Sequence, residues 1–446
     1  MARDAHTVER PLNVSSPRPK VAVVGAGWAG LAAAVRSVQL GLDLTLYESA
    51  RLAGGRARAV ERPEGVFDNG QHILIGAYRE TLQLLQTLGV QEEMAFLRLP
   101  LTLTSPQGRG LKLNPRLGAW APAAAIAQCH HWPPRARLGF LVQCAKWLVQ
   151  GFRCAEHTTV GDLCRGLHPA IFRELIEPLC VAAMNTPARE ASGAIFLRVL
   201  RDSVFSGSGA SDLMIPRLPL SALLPDPASD WLRRHGAHLL YGSRVHTLES
   251  DPEGGSKGSR WLVNGQPFDT VVLACTALEA ARLVQPVEPR WAQKAQSLSF
   301  EAIATAVMDC DGLRLQHPMV MLQRGPAQFA FDHGALGAQP GRIVLVASAA
   351  SEFDGLSTQD IGHLMVEQVC LELLPIHAQR PVLRNVLRDR RATWLARSGL
   401  VRPQAGIAPG LIAAGDFVAG PYPATLEGAV RSGLAAARAV LESHNH

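Results

Sequence analysis

Residues 20–48, KVAVVGAGWAGLAAAVRSVQLGLDLTLYE, restrict the fold more than any other stretch. KVAVV forms a short apolar strand, and Gly25, Gly27 and Gly30 follow it in GxGxxG spacing. LAAAVRSVQLG then continues as a helix that closes on Gly41, and LDLTLYE is a second strand ending on Glu48. Each glycine meets a steric demand of a βαβ crossover. Gly25 permits the tight turn, Gly27 lets a pyrophosphate approach the backbone, and Gly30 with Ala34 lets the helix lie close on the sheet. Trp28 and Ala29 lie within the glycine turn and are expected at the cofactor, where the helix N-terminus turns its free N–H groups and positive pole to the phosphates. Glu48 is placed to accept hydrogen bonds from a ribose diol. Strand, glycine turn, helix, strand and terminal carboxylate in that order predict a Rossmann-like α/β unit with a dinucleotide site.

The 446 residues exceed one ordinary domain, and 47% hydrophobic content with 18% charge supports a large core. The eight cysteines form no CxxC pair and no Cys/His cluster of zinc-like spacing, so they are expected as small buried apolar residues, with no metal. Residues 1–19 mix prolines with charges of both signs and lack an apolar h-region, which predicts a loose arm and argues against a signal peptide. No run of 18 or more apolar residues appears. A cytoplasmic location is expected.

Charge placement says more than the net charge of +6. Between Glu93 and Glu156 no acidic residue occurs, while Arg98, Arg109, Lys112, Arg116, Arg135, Arg137, Lys146 and Arg153 all do. There Leu138, Leu141, Val142, Ala145, Leu148, Val149 and Phe152 recur at the spacing of one helix face, with Trp120, Trp132 and Trp147 interspersed. Two readings stay open: a surface lying on anionic lipid headgroups at the inner face of the cytoplasmic membrane, or a core helix with solvated arginines. Nucleic acid is not expected, since the aromatics sit with an apolar stripe.

Downstream, Gly54, Gly55 and Arg56 form a second glycine turn, followed by FDNGQHILIG at 67–76 with Asp68, Asn69, Gln71 and His72 around Gly70. Near the other end a strand leads to Gly415 and Asp416, a loop, and an Ala-rich helix starting near Thr425 or Leu426. Its N-terminus is a second positive pole. This pairing of first and last segments resembles the FAD-binding superfamily of amine oxidases and phytoene desaturases, with matches at Gly415, Asp416, Glu427 and Gly428. The resemblance implies FAD rather than NAD. It also implies that Val245 contacts adenine through its backbone and that Ala274 and Cys275 form a cofactor-facing turn. The SDPEGGSKGSR segment is expected as a polar hairpin tip. The implied fold is an amine oxidase-like, two-domain flavoprotein with a discontinuous Rossmann-like FAD-binding domain (20–78, 212–298 and 388–443). Its inserted α+β substrate domain (79–211 and 299–387) is helical over 115–205 and strand-rich over 299–350.

DNGQHILIGAYRETLQLLQTLG, EPLCVAAMNTPAREASGAIFLRVLRDSVF and SDLMIPRLPLSALL, with GDF and YPATLEGAVRSG, resemble the hydroxysqualene dehydroxylases of hopanoid biosynthesis over about residues 20–440. That family implies reductive removal of an allylic hydroxyl, with hydride from reduced FAD, to give squalene. A C30 substrate requires an apolar pocket, expected from the helices of 135–205. Proton-donor candidates are His72, Glu177 and Tyr422, with Asp202 and Glu427 also considered. Gly70, Gln71 and His72 are expected at the flavin edge, where His72 either moves a proton or only hydrogen-bonds the cofactor. Cofactor contacts are also expected from Gly55, Arg56, Leu426 and Glu427. No second GxGxxG unit for a nicotinamide occurs, so the electron donor stays open. The alternatives are an amine oxidase, a carotenoid-type desaturase, and a flavin-bearing lipid-binding scaffold. The first is disfavoured by Thr425, where an aromatic cage would place tyrosine.

Overall fold

The computed structural model describes residues 18–251, 260–375 and 378–444. The expected N-terminal arm and hairpin tip fall largely outside them. Strand Lys20–Val24 lies between Asp43–Glu48 and Thr270–Leu273 in a parallel register, with Val21 opposite both Leu44 and Thr270. His238–Tyr241 and Leu411–Ala413 extend the sheet in parallel on either side, and Gly406–Ala408 closes one edge antiparallel. Val21, Ala22 and Val23 are fully buried, as a parallel strand covered on both faces requires.

Helix Trp28–Gln39 leaves the glycine turn and packs against the final helix, Leu426–His444. The two approach so closely that a Cβ on Gly433 would stand 2.0 Å from the Ala29 carbonyl oxygen. Small residues in the last helix are therefore a packing requirement.

A second, antiparallel sheet runs Met319–Met321, Phe329–Asp332, Arg342–Ala347, Phe300–Asp309, Val382–Trp394. Its last strand pairs with Phe300–Asp309 from Asp309↔Val382 to Phe300↔Trp394. It thus passes the expected 387/388 junction without a break. The helical insert contains Ala121–Gln128, Pro134–Val149, Glu177–Met184 and Gly193–Asp202. Asn185, left-handed at φ 48°, ends the third of these. Its side-chain amide donates to Thr393 Oγ1 (2.9 Å) and its carbonyl accepts from Ala349 N (2.7 Å), tying the insert to the antiparallel sheet.

Helix Pro134–Val149 buries Ala136, Phe140 and Trp147, with the two rings edge to face at 6.5 Å. Leu138, Val142, Leu148 and Val149 are exposed, so this stripe does not form the core face that one of the two readings of its spacing expected. Periodicity identified an apolar stripe, but a stronger aromatic anchor on the opposite side took the core. All eight cysteines are free; four are buried and Cys144, Cys154, Cys275 and Cys370 are only partly so. Among the described residues no group of three or more His, Cys, Asp or Glu side chains could hold a metal, and no helix is long and apolar enough to cross a membrane.

Candidate functional site: a glycine-built cofactor cradle

The three glycines of the first turn are used differently. Gly25 sits at φ +109°, and a Cβ there would stand 2.7 Å from the Ala274 carbonyl oxygen. A Cβ on Gly30 would overlap the Gly25 carbonyl oxygen at 1.8 Å. A Cβ on Gly27 would meet nothing closer than the Gly55 Cα at 4.0 Å, so that side of the turn is open to a ligand. The outer glycines shape the loop, and the central one leaves room beside it. Leu31 N makes the first bond back to Gly27 O (2.9 Å), so the N–H groups before it lie at the helix's positive pole.

Glu48 does more than face a ribose. Its buried carboxylate accepts from Ala26 N and Ala50 N, both at 2.7 Å, pinning the turn to the end of its strand. A carboxylate offers about four acceptor positions, so capacity for a diol remains. Trp28 is buried and donates from Nε1 to Ala57 O (2.9 Å), anchoring the second glycine turn. There Gly54 N donates to Ala26 O (2.8 Å), and Gly54 and Gly55 both have positive φ. Ala274 donates to Val24 O (2.8 Å), and its role here is to crowd Gly25 into shape. The Val245 carbonyl accepts from Arg282 Nη2 (2.7 Å), which fixes the backbone at residue 245.

Arg56 and Asp416, from opposite ends of the chain, form an ion pair at 2.7 Å, and Arg56 also donates to Ala392 O (2.6 Å). Asn69 Nδ2 donates to Arg56 O (2.8 Å) and Trp394 Nε1 to Asp416 O (3.0 Å). A small cleft of about 60 Å³ opens here between Arg56, Thr276, Phe300, Arg391, Trp394 and Phe417. Thr276 and Arg391 carry no sequence signal that singles them out. Gly415 N donates to Ser432 Oγ (3.0 Å), and Thr425 Oγ1 accepts from Gly428 N (3.0 Å), capping the final helix just before Leu426.

The Glu427 carboxylate is engaged inside the protein. The residue is 1% exposed, and its carboxylate accepts from Thr81 N (3.0 Å), Thr81 Oγ1 (2.8 Å) and Glu80 N (3.3 Å). It thereby satisfies the start of helix Arg79–Thr87, with Arg431 3.5 Å away. Only the backbone N–H of residue 427 is left to serve a cofactor at this helix pole.

FDNGQHILIG divides its polar groups among three neighbours. Asp68 accepts from Leu220 N (2.9 Å), and burial pushes its carboxyl up to about 6. Gln71 Oε1 pairs with His333 Nε2 (2.7 Å) on the antiparallel sheet. His72 Nδ1 meets Gly70 O at 3.2 Å, and burial holds its pKa below the ordinary imidazole value. Burial thus favours the neutral ring, and the Gly70 carbonyl, which can only accept, calls for the proton on Nδ1. Gly70, at φ +91°, brings the backbone close to Thr305, whose buried Oγ1 has no hydrogen-bond partner among the described residues. That orphaned hydroxyl near Gly70 fits a polar ring cofactor with hydrogen-bonding groups.

Tyr422 and Asp202, weighed separately from sequence, meet: the Tyr422 hydroxyl donates to Asp202 Oδ2 at 2.8 Å. The guanidinium carbons of Arg198 and Arg431 lie 5.2 and 5.4 Å from the ring centre. Arg198 and Arg201 both pair with Asp202. Glu177 stands apart, accepting from Ala188 N (3.3 Å) with its pKa raised by burial. No direct hydrogen bond among the described residues joins His72, Glu177 and Tyr422.

Comparison with known proteins agrees with this geometry. Residues 28–441 match the family model described as flavin containing amine oxidoreductase. A hydroxysqualene dehydroxylase of Zymomonas mobilis is 28% identical over 95% of this chain and 99% of its own length. One from Sinorhizobium fredii is 27% identical over 95% and 99%. Among solved structures, an oxidoreductase from Methanosarcina mazei superposes with a TM-score of 0.68 at 16% identity, covering 95% of this chain and all of that one. The cradle, the terminal helix and the family match together make this chain a member of the flavin-containing amine oxidoreductase family, an oxidoreductase that uses FAD.

Proposed function

We propose that this chain reductively removes the allylic hydroxyl of hydroxysqualene to give squalene. The observation that carries the reading is end-to-end similarity to curated hydroxysqualene dehydroxylases on a chain with an intact cofactor cradle. Reduced FAD, when bound, supplies a hydride. The overall balance is one hydride and one proton in, with water and the hydrocarbon out. The cradle residues Gly27, Gly55 and Gly70 bring backbone against the cofactor, Glu48 and the two helix poles would hold its ribose and charged groups, and Arg56 with Asp416 brace the two glycine turns.

The proton is the protein's own contribution. Burial disfavours the protonated His72 ring, the form that would give up a proton, so His72 fits loop support better than acid catalysis. Tyr422 fits the donor role best. Burial and Asp202 raise its pKa, so it enters each turnover protonated, and Arg198 and Arg431 beside the ring would stabilise the phenolate left behind. Once the hydroxyl leaves as water, an apolar, water-poor site lets the allylic cation last until hydride arrives. Thr425 spends its hydroxyl on a helix cap, which supports this reading over an amine oxidase with an aromatic cage.

The test is a single anaerobic turnover of chemically reduced holoenzyme with hydroxysqualene. Stoichiometric squalene with flavin reoxidation is expected. No reoxidation, together with flavin reduction by squalene or a polyene, would establish a desaturase instead.

A further inference from the structure

Helix Pro134–Val149 carries its apolar residues on both sides. Ala136, Phe140 and Trp147 are buried, whereas Leu138, Val142, Ala145 and Val149, at i, i+4, i+7 and i+11 on the opposite face, are exposed. The exposure is large: 64% for Leu138, 47% for Val142 and 90% for Val149. An ordinary surface helix turns charged and polar residues outward there. Arg135 and Lys146 are exposed and flank the stripe on one side by helical angle. Trp120 and Leu117, 77% and 40% exposed, add further apolar surface in the same insert, which has no acidic residue between Glu93 and Glu156.

We propose that this face docks on an anionic lipid bilayer, the stripe entering the acyl boundary and Arg135, Lys146 and Arg153 lying at the headgroups. Charge complementarity selects the occupant. A second copy meeting the same patch about a twofold axis would bring one basic rim against another. An anionic bilayer offers an apolar layer and negative charge at the depths the helix presents. The proposal stands on this face alone and does not depend on which reaction the cradle supports.

The test is sedimentation of the full-length holoenzyme with phosphatidylcholine vesicles and with vesicles also containing phosphatidylglycerol, in low and high salt. Binding to the anionic vesicles at low salt, weakened by salt, is expected. The double variant Val142→Asp/Val149→Asp should keep its flavin and melting temperature while losing affinity about tenfold or more. Arg135→Glu/Lys146→Glu should lose the salt-sensitive part. Wild-type protein that stays in the supernatant with anionic vesicles at low salt, or a Val142→Asp/Val149→Asp protein that binds as well as wild type, overturns the proposal. Conversion of a dimer to a monomer by that variant, with neither form binding vesicles, would make the face an interface between copies and equally overturn it.

Discussion

The glycine turns of the cofactor cradle and the long-range polar pairs around them are built by different means. The cradle is backbone: Gly25, Gly27 and Gly30 act through sterics that belong to one βαβ crossover, and Glu48 secures them from the next strand. The pairs are side-chain contacts between distant segments: Arg56 with Asp416, Gln71 with His333, Tyr422 with Asp202. Local steric demands tolerate almost no substitution. Long-range polar pairs tolerate substitution structurally and lose specific chemistry.

The largest effect is therefore expected in the cradle. Gly30→Ala forces a Cβ to within 1.8 Å of a backbone carbonyl that cannot yield. It should cost about 3 kcal/mol or more in stability and abolish flavin retention, read by flavin absorbance per protein and by denaturant melting. Gly27→Ala sharpens the contrast, because its Cβ has room in the protein. That variant should melt like wild type and still lose flavin. Equal destabilisation by both would mean that Gly27 also serves packing and that the cradle is not open where the geometry leaves it open.

Next comes Tyr422→Phe, which removes one hydroxyl from the long-range pairs. Turnover should fall by about a hundredfold or more with flavin content and KM unchanged. Asp202→Asn should slow turnover less, because the phenol survives and only its partner changes. Undiminished turnover in Tyr422→Phe would leave the reaction's proton to solvent or to Glu177.

These contrasts also explain how much could be read from sequence. GxGxxG, Glu48 and the Gly415–Asp416 turn were legible because their demands act between near neighbours and leave few permitted residues. The pairs were not, since Arg56 and Asp416 are 360 residues apart, Gln71 and His333 262, and Tyr422 and Asp202 220. No windowed pattern spans such separations. Glu427 shows the same limit: its position beside a helix pole is legible, but the partner of its carboxylate is Thr81, from another helix. Periodicity also found the stripe on Pro134–Val149 without fixing which way it faces, because Phe140 and Trp147 outcompete it for the core.

A smaller effect separates structure from chemistry inside FDNGQHILIG. Asp68 has its pKa raised from 3.8 to about 6 by burial. The folded protein thus binds a proton that the unfolded chain has released, and stability falls as pH rises from about 4 to about 6. At about 1.4 kcal/mol per unit the ceiling is near 3 kcal/mol, and partial screening brings the expected fall to about 2 kcal/mol. Asp68→Asn keeps an acceptor for Leu220 N and should remove that slope, leaving it more stable than wild type at pH 7. Subtracting the two pH–stability curves isolates Asp68 from carboxylates such as Asp202 and Asp309, whose lowered pKa values act in the opposite sense. A flat difference curve would show that water reaches Asp68.

His72→Ala is the smallest change expected, and the one that most directly tests the division between the two regions. The ring is neutral, donates to the Gly70 carbonyl and is held below its ordinary pKa by burial. Its loss removes one backbone tether from a turn that Gly70, Gln71 and Asn69 hold by other bonds. Turnover should drop less than about tenfold, flavin should remain bound, and the pH–rate profile should keep its shape, since a group neutral before and after turnover contributes no inflection. A drop of about a hundredfold with flavin retained would transfer the proton-donating role from Tyr422 to His72. The loop at the flavin edge would then combine backbone approach with acid chemistry, and the separation of cradle from chemistry would fail at this one residue.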